Sequence, residues 1–146
     1  MYSIGEVAEI FHLPVSTLRY YDNSGLFPNI QRSESGTRIF NEEDLETLKM
    51  IECLKKSGMQ LKDIKQFLDW CKEGNATLKK RRDMFVQKQK EVKNEIAELE
   101  KVLDLLTYKC WFYEEAIKDN SDERVRKTKI EDMPKEIQKA YKNSHI

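Results

Sequence analysis

Residues 3–25 read SIGEVAEIFHLPVSTLRYYDNSG, a stretch that contains the start signals of two short helices. Ser3 and Glu6 have the spacing of a capping box, in which each side chain accepts a hydrogen bond from the other residue's backbone N–H. Pro14 suits the start of a second helix, because its missing N–H needs no partner there, and Gly25 ends that helix. Two short helices joined by about three residues predict a helix-turn-helix.

The residues that follow predict a β-hairpin. Two short β-prone runs, residues 30–32 and 37–40, flank a polar turn at residues 33–36 that contains a glycine. A hairpin placed after a helix-turn-helix is a winged-helix arrangement, in which one helix enters the major groove of DNA and the hairpin lies beside it.

Two further helices are predicted after the hairpin. Asn41 caps the first, whose opening turn is acidic, as the positive end of the helix dipole favours, and Gly58 ends it. The second begins near Leu61 and ends near Gly74. The winged-helix domain is therefore predicted to comprise residues 1–74.

From residue 78 the apolar positions alternate at spacings of four and three residues, the heptad pattern of a coiled coil. A single helix cannot bury such a stripe, so residues 75–119 predict a dimerisation helix, with a second copy as the simplest partner. Residues 120–146 predict a polar tail with a short helix after Pro134. The seam positions are Leu78, Arg82, Phe85, Gln89, Val92, Ile96, Leu99, Leu103, Leu106, Cys110, Tyr113 and Ile117.

The composition narrows the class of protein. The chain has 146 residues with 26 basic and 26 acidic side chains, so nucleic-acid binding must come from local geometry rather than net charge. Only 5 glycines and 3 prolines favour a mainly α protein over a turn-rich β fold. Three cysteines without CxxC spacing, and no signal peptide, predict a cytoplasmic protein without a membrane partner. The sequence has only two histidines and no phosphate-binding glycine loop, so we predict no enzyme activity and no cofactor.

Hydroxyl and cationic side chains are concentrated on the second helix and on the hairpin. Hydroxyls near a helix N-terminus favour phosphate oxygens, and arginine binds either phosphate or guanine. We therefore predict DNA contacts from Ser16, Thr17, Arg19, Tyr20, Tyr21, Arg32 and Arg38.

Five short motifs stand in order along the first third of the chain: Ile4-Gly5-Glu6-Val7-Ala8, Thr17-Leu18-Arg19-Tyr20-Tyr21-Asp22, Gly25-Leu26, Gly36-Thr37-Arg38-Ile39-Phe40 and Glu43-Asp44-Leu45. Together they resemble the MerR family of bacterial transcription regulators. The resemblance covers residues 1 to about 70, and the long helix lies where that family has its antiparallel dimerisation helix. Pro14 stands where the family often has Ser, and Thr37 and Phe40 replace its usual aromatic pair in the wing.

The resemblance implies a homodimer on a pseudo-palindromic operator, between promoter hexamers that are spaced too far apart for RNA polymerase. An inducer would twist and kink the DNA and realign the hexamers, so that the signal is stored as DNA deformation. By position, Lys55 joins Arg19, Tyr20, Tyr21 and Arg38 among the expected DNA contacts.

The resemblance also suggests what the protein senses. Many relatives bind metal through cysteines just after the dimerisation helix, but only Cys110 lies there, so no metal site is predicted. Cys53 stands where aldehyde- and electrophile-responsive members have a single reactive cysteine, and Lys49, Lys55 and Lys56 would favour its thiolate. The alternative for Cys53 is a small side chain that fills the core.

A reversible small-molecule pocket is the second hypothesis for the signal. Aromatic side chains line sites for apolar or cationic ligands, although they also pack the ends of dimers. A purely structural coiled-coil adaptor would leave the winged helix unexplained. The candidate pocket residues are Trp70, Tyr108, Trp111, Phe112 and Tyr113.

Overall fold

A computed structural model describes residues 1–145 as a mainly α-helical chain with a small antiparallel sheet. The predicted architecture, a winged helix-turn-helix followed by a long helix, is confirmed. The helices are α1 (Ile4–Phe11), α2 (Val15–Asn23), α3 (Glu42–Lys56), α4 (Leu61–Glu73), α5 (Leu78–Asp119), α6 (Glu123–Lys127) and α7 (Lys135–Ser144). The strands are β1 (Tyr2–Ser3), β2 (Gln31–Arg32) and β3 (Arg38–Phe40), and short 3₁₀ turns cover Gly74–Thr77 and Ile130–Asp132.

Both predicted helix caps are present. The backbone N–H of Glu6 donates to Ser3 Oγ at 3.1 Å, and that of Ser3 donates to Glu6 Oε2 at 2.8 Å. Asn41 and Asp44 form the same reciprocal pair at 2.9 Å in each direction. These bonds satisfy amides that a helix N-terminus leaves without partners, and so they fix where α1 and α3 begin.

The sheet contains one strand more than the predicted hairpin. Its order is β1-β3-β2, with both pairings antiparallel. Tyr2 lies opposite Phe40 on one side of β3, and Arg32 lies opposite Arg38 on the other. Gly36, with a φ of 85°, supplies the left-handed residue of the turn between β2 and β3. The wing, meaning the β2–β3 hairpin, is thus attached through β1 to the start of α1.

The chain divides into two compact units, Met1–Phe85 and the residues from Val86 onward. The first unit has one hydrophobic core, to which every helix and the sheet contribute. Because Leu18 and Tyr21 belong to that core, α2 presents the opposite face, with Arg19 and Tyr20, to solvent. The fully buried side chains of the first unit are Val7, Leu18, Tyr21, Leu26, Phe40, Leu48, Ile51 and Ile64.

The second unit consists of the larger part of α5 with α6 and α7. Its buried side chains are Ala116, Val125, Met133, Ile137 and Ala140, and Arg124 pairs with Glu115 at 2.9 Å and with Asp119 at 2.5 Å. The predicted short helix after Pro134 is α7, and α6 is a further helix in the same tail.

The apolar stripe of α5 remains exposed in the single chain. Leu99 is 66% exposed, and its neighbours along the helix are similarly open. Among residues 1–145, no helix is long and apolar enough to cross a lipid bilayer. The exposed stripe in this unit comprises Ile96, Leu99, Val102, Leu103, Leu106, Tyr113 and Ile117.

Candidate functional site

Helix α2 carries five of the eight predicted DNA contacts, and its exposed face presents Ser16, Arg19 and Tyr20. Ser16 and Thr17 lie in its first turn, where backbone amides lack helical partners and attract anions. Ser16 and Arg19 are exposed, Tyr20 is 60% exposed, and Thr17 is half-buried. This face therefore offers hydroxyls, an aromatic ring and a guanidinium to an external ligand.

Tyr21 has a different environment from Tyr20. Its side chain is only 1% exposed, and its hydroxyl lies at the core boundary between two residues of α3. Lys55 Nζ donates to the hydroxyl at 2.7 Å, and the hydroxyl donates to Glu52 Oε1 at 2.9 Å. Sequence reasoning missed Glu52 because its role depends on a contact between helices that are remote in sequence.

The hydrogen bond that Lys55 donates to Tyr21 stabilises the charged amine. It raises the pKa of Lys55 above its ordinary value and so favours the charged amine. Burial raises the pKa of Tyr21 and so favours its protonated hydroxyl. A cation is therefore held at the Tyr21 hydroxyl of α2.

A cavity of about 330 Å³ brings these side chains together. Five of the eight predicted DNA-binding residues line it, together with one apolar residue of α4. A phosphate in this cavity would lie among hydroxyls and the Lys55 amine, which are groups that bind phosphate oxygens. The lining residues are Ser16, Thr17, Tyr20, Tyr21, Lys55 and Leu61.

The two wing arginines bind acceptors at the end of α2 and in the turn of the wing. Arg38 Nε donates to Asp22 Oδ2 at 2.7 Å, and its Nη2 donates to Asn23 Oδ1 at 3.2 Å. Arg32 Nη1 donates to the Gly36 carbonyl at 2.8 Å, and its Nη2 lies 3.7 Å from Asp22 Oδ2. Sequence reasoning did not assign Asp22 and Asn23, although an acid directly after the Arg-Tyr-Tyr run was a visible signal.

Cys53 is exposed on α3, which contradicts the interpretation that it fills the core. Two of the cations expected to favour its thiolate have other partners: Lys49 donates to Glu46 at 2.7 Å, and Lys55 donates to Tyr21. The site thus provides access to the thiol, while these two lysines are engaged elsewhere. Cys110, which stands on the predicted heptad seam, is also exposed in the single chain.

The aromatic residues at the end of α5 form a cluster around Tyr108. Its ring lies 6.2 Å from the rings of both Trp111 and Phe112, and 4.9 Å from that of Tyr141 on α7. The Phe112 ring also lies 5.1 Å from that of Tyr113. Sequence reasoning missed Tyr141, which only the folding of the tail brings to the cluster.

A cavity of about 450 Å³ lies beside this cluster, within the second unit. Trp111 is the member of the predicted pocket that lines it. Trp70 belongs to the first unit, where its carbonyl accepts a hydrogen bond from Thr77. The lining residues are Leu103, Leu106, Thr107, Cys110, Trp111, Glu114, Pro134, Glu136 and Ile137.

Metal-binding side chains do not converge in the described part of the chain. Within residues 1–145, His, Cys, Asp and Glu side chains form no group of three or more that is arranged to hold an ion.

Known proteins resemble this chain over most of its length. Two family descriptions match it: MerR HTH family regulatory protein over residues 2–70, and MerR, DNA binding over residues 45–108. An uncharacterized HTH-type transcriptional regulator of Haemophilus influenzae is 44% identical over 115 residues, which cover 79% of this chain and 85% of that protein.

Solved structures agree with these matches. The crystal structure of HiNmlR, a MerR family regulator lacking the sensor domain, bound to promoter DNA, is similar with 42% identity and a TM-score of 0.64. The match covers 84% of this chain and 98% of HiNmlR. A MerR family regulator from Bacillus thuringiensis is 48% identical with a TM-score of 0.59, over 75% of this chain and 96% of that one. The winged helix-turn-helix, the long helix and these matches place the chain in the MerR family of DNA-binding transcriptional regulators.

Proposed function

We propose that the chain is a homodimeric regulator that binds promoter DNA through α2 and the wing. The observation that carries this proposal is the exposed face of α2, which presents Ser16 and Arg19 to solvent. Side chains of the same helix line a cavity together with Lys55. In the proposed complex, α2 enters the major groove and Arg32 and Arg38 approach the backbone from the wing.

The proposed dimer is supported by the stripe on α5. An exposed row of leucines and other apolar side chains at four-and-three spacing is expected to pack against the same row of a second copy. An antiparallel arrangement, as the family resemblance implies, would place one DNA-binding unit at each end of the pair. The two α2 helices would then read two half-sites of one operator.

Such a dimer provides a means of controlling RNA polymerase. Two recognition helices held at a fixed separation will bind straight DNA only if that separation matches the helical repeat, and otherwise the DNA must bend. Bending a short site costs on the order of 1–6 kcal/mol, which contacts to both half-sites offset. We propose that the bound dimer distorts a promoter with an overlong spacer and thereby aligns its hexamers for RNA polymerase.

Cys53 is the proposed sensor of aldehyde or electrophile stress. Its exposure allows a small aldehyde to reach the thiol. Addition forms a bond between Sγ and the carbonyl carbon and transfers the thiol proton to the carbonyl oxygen, giving a hemithioacetal without any further reactant. The adduct would lie on α3 next to Glu52 and near Lys55, the two residues that bind the Tyr21 hydroxyl.

A noncovalent inducer at the aromatic cluster is the second candidate. The cavity beside Trp111 supports it, because apolar walls with two carboxylates, Glu114 and Glu136, suit a small apolar or cationic molecule. If Trp111→Ala binds the inducer as tightly as the wild-type protein and responds to it equally, a site beside Trp111 is excluded.

A binding experiment tests the proposed DNA interface. The purified protein first selects duplexes from a randomised library, and the enriched duplex is then titrated with variants. Arg19→Ala is expected to weaken binding by about 1–3 kcal/mol. Lys72→Ala, which removes an equal charge from α4 at a position outside the predicted interface, is the matched control. Equal affinities for both variants and the wild type would contradict the assignment of Arg19.

A further inference from the structure

Asp22, the last residue of the Arg-Tyr-Tyr-Asp run, lies against both arginines of the wing. Its side chain is only 10% exposed, and its Oδ2 atom lies 2.7 Å from Arg38 Nε and 3.7 Å from Arg32 Nη2. Asn23, the next residue of α2, accepts a second hydrogen bond from Arg38. The carboxylate of Asp22, on α2, therefore lies beside two cations of the wing.

The wing creates a repulsion that this carboxylate offsets. Arg32 and Arg38 are directly opposite each other across the β2–β3 pair, where like charges destabilise a hairpin. Arg38 is only 15% exposed on its side chain, so water screens its charge less than that of Arg32, which is 49% exposed. Asp22 is the acid that lies within ion-pair distance of both.

The hydrogen bonds fix the orientation of Arg38 without using all of its donors. A guanidinium carries five N–H groups in one plane. The bonds to Asp22 and Asn23 use donors on Nε and Nη2, and a plane held at two points has little freedom to rotate. In the proposed complex, a DNA phosphate would accept from the remaining donors in a direction that the end of α2 defines.

We propose that Asp22 and Asn23 are positioning residues for DNA binding, which hold the wing arginines in a fixed geometry relative to α2. This inference rests on the proposed function, because it assumes that the wing and α2 bind the same duplex. It assigns an attractive role to an acid beside DNA. Coulomb repulsion from phosphate alone would give Asp22 the opposite effect.

A positioning role and simple repulsion from phosphate predict opposite effects on affinity when the charge of Asp22 is removed, so a direct test is possible. Asp22→Asn keeps the size of the side chain and removes its charge, and Glu34→Gln removes the same charge from the exposed turn of the wing. On the duplex selected by the wild-type protein, Asp22→Asn is expected to weaken binding about tenfold, equivalent to one lost arginine contact. Glu34→Gln is expected to bind as tightly as the wild type or more tightly. Unchanged or stronger binding by Asp22→Asn would overturn the inference.

The salt dependence separates positioning from a general loss of folded protein. If an arginine no longer reaches phosphate, the slope of log K against log salt becomes shallower by about one unit for each lost contact. A smaller folded fraction lowers the amount of active protein and leaves that slope unchanged. A wild-type slope for Asp22→Asn would therefore overturn the inference even if its affinity fell.

Two further variants keep the test decisive if Asp22→Asn folds poorly. Asp22→Glu retains a carboxylate and is expected to bind within about threefold of the wild type, whereas a loss as large as that of Asp22→Asn counts against the inference. Asn23→Ala removes the second acceptor of Arg38 at an exposed position, and a fall of roughly two- to threefold is expected. Wild-type affinity in Asn23→Ala would exclude its part in positioning.

If the wild-type protein itself selects no duplex, the proposed function fails and this inference fails with it. If the wild-type protein binds but Asp22→Asn matches Glu34→Gln in affinity and in salt slope, only the positioning role is lost.

Discussion

The hydroxyl of Tyr21 in α2 accepts a hydrogen bond from Lys55 of α3 at 2.7 Å and donates one to Glu52 at 2.9 Å. The contact joins the proposed recognition helix to the helix that carries Cys53. Tyr21 is 1% exposed, so its ring contributes to the core, while its oxygen accepts from the Lys55 cation. In the proposed complex, DNA binding through α2 and the state of α3 would share this pair of hydrogen bonds.

Tyr21→Phe is expected to weaken both folding and DNA binding. The ring still fills the core, but Lys55 and Glu52 lose their common partner, at a cost of roughly 0.5–2 kcal/mol in the free energy of unfolding. We expect a several-fold loss of affinity, because the Lys55 amine is no longer held at the cavity. Chemical denaturation and duplex titration measure the two effects.

Tyr2→Phe is the matched control for Tyr21→Phe. The Tyr2 hydroxyl donates to Glu42 at 2.7 Å on an exposed surface of the same unit. Its loss is expected to leave DNA affinity unchanged. If both variants lose affinity equally, Tyr21 has no specific role in placing Lys55.

The pH dependence of this pair follows from the direction of its pKa shifts. The hydrogen bond that Lys55 donates to Tyr21 raises the pKa of Lys55 in the folded protein, and burial raises the pKa of Tyr21. Since both folded-state values exceed the unfolded ones, their contribution to stability is complete below the ordinary values near pH ~10 and is lost as pH rises through the folded ones.

Denaturation curves at a series of pH values test whether this contribution to stability is lost as the pH rises. We expect the stability difference between wild type and Tyr21→Phe to be constant between about pH 6 and pH 9 and to shrink above about pH 10. A difference that disappears between about pH 7 and pH 8 would mean that another group controls it.

Leu99→Glu tests the proposed dimer seam. Leu99 is 66% exposed in the single chain, and its burial by a partner would contribute about 1.5–3 kcal/mol for each copy. A glutamate there is expected to yield monomers at concentrations at which the wild type is dimeric, as measured by light scattering. Ala97→Glu adds the same charge outside the heptad seam and should remain dimeric. A dimeric Leu99→Glu protein would place the interface elsewhere.

Cys53→Ser is expected to abolish the response to a small reactive aldehyde without changing DNA affinity in its absence. Serine keeps the size of the side chain but is a poor nucleophile at neutral pH. Cys71→Ser is the matched control, because Cys71 is equally a free, exposed cysteine. Mass spectrometry of trapped adducts and transcription assays give two readouts. A full response from Cys53→Ser would exclude Cys53 as the sensor.

The elements that the sequence predicted correctly are those set by neighbouring residues. The caps at Ser3 and Asn41 depend on residues within the first turn that follows, so they are visible in the sequence. The strand β1 is not visible in this way, because it is two residues long and its partner, Phe40, is remote in sequence. Local pattern rules fail where a distant partner decides the structure.

The candidate site shows the same division. The exposure of Arg19 follows from its position on α2 between the buried Leu18 and Tyr21. The bonds of Tyr21 to Glu52 and Lys55 span 31 and 34 residues, and the bond from Arg38 to Asp22 spans 16. Only the tertiary structure identifies these pairings, so sequence reasoning named Tyr21, Lys55 and Arg38 as DNA contacts without finding the bonds that hold them.

Transcription from two templates tests the central claim most directly. One template carries the promoter that the protein binds, with the overlong spacer that we propose for it, and the other carries the same operator with the spacer shortened to the length that RNA polymerase prefers. With purified reduced protein and aldehyde, we expect activation of the long-spacer template and none of the shortened one, because realignment helps only where the hexamers are misplaced. Equal activation of both templates, or none of either despite promoter binding, would contradict the account.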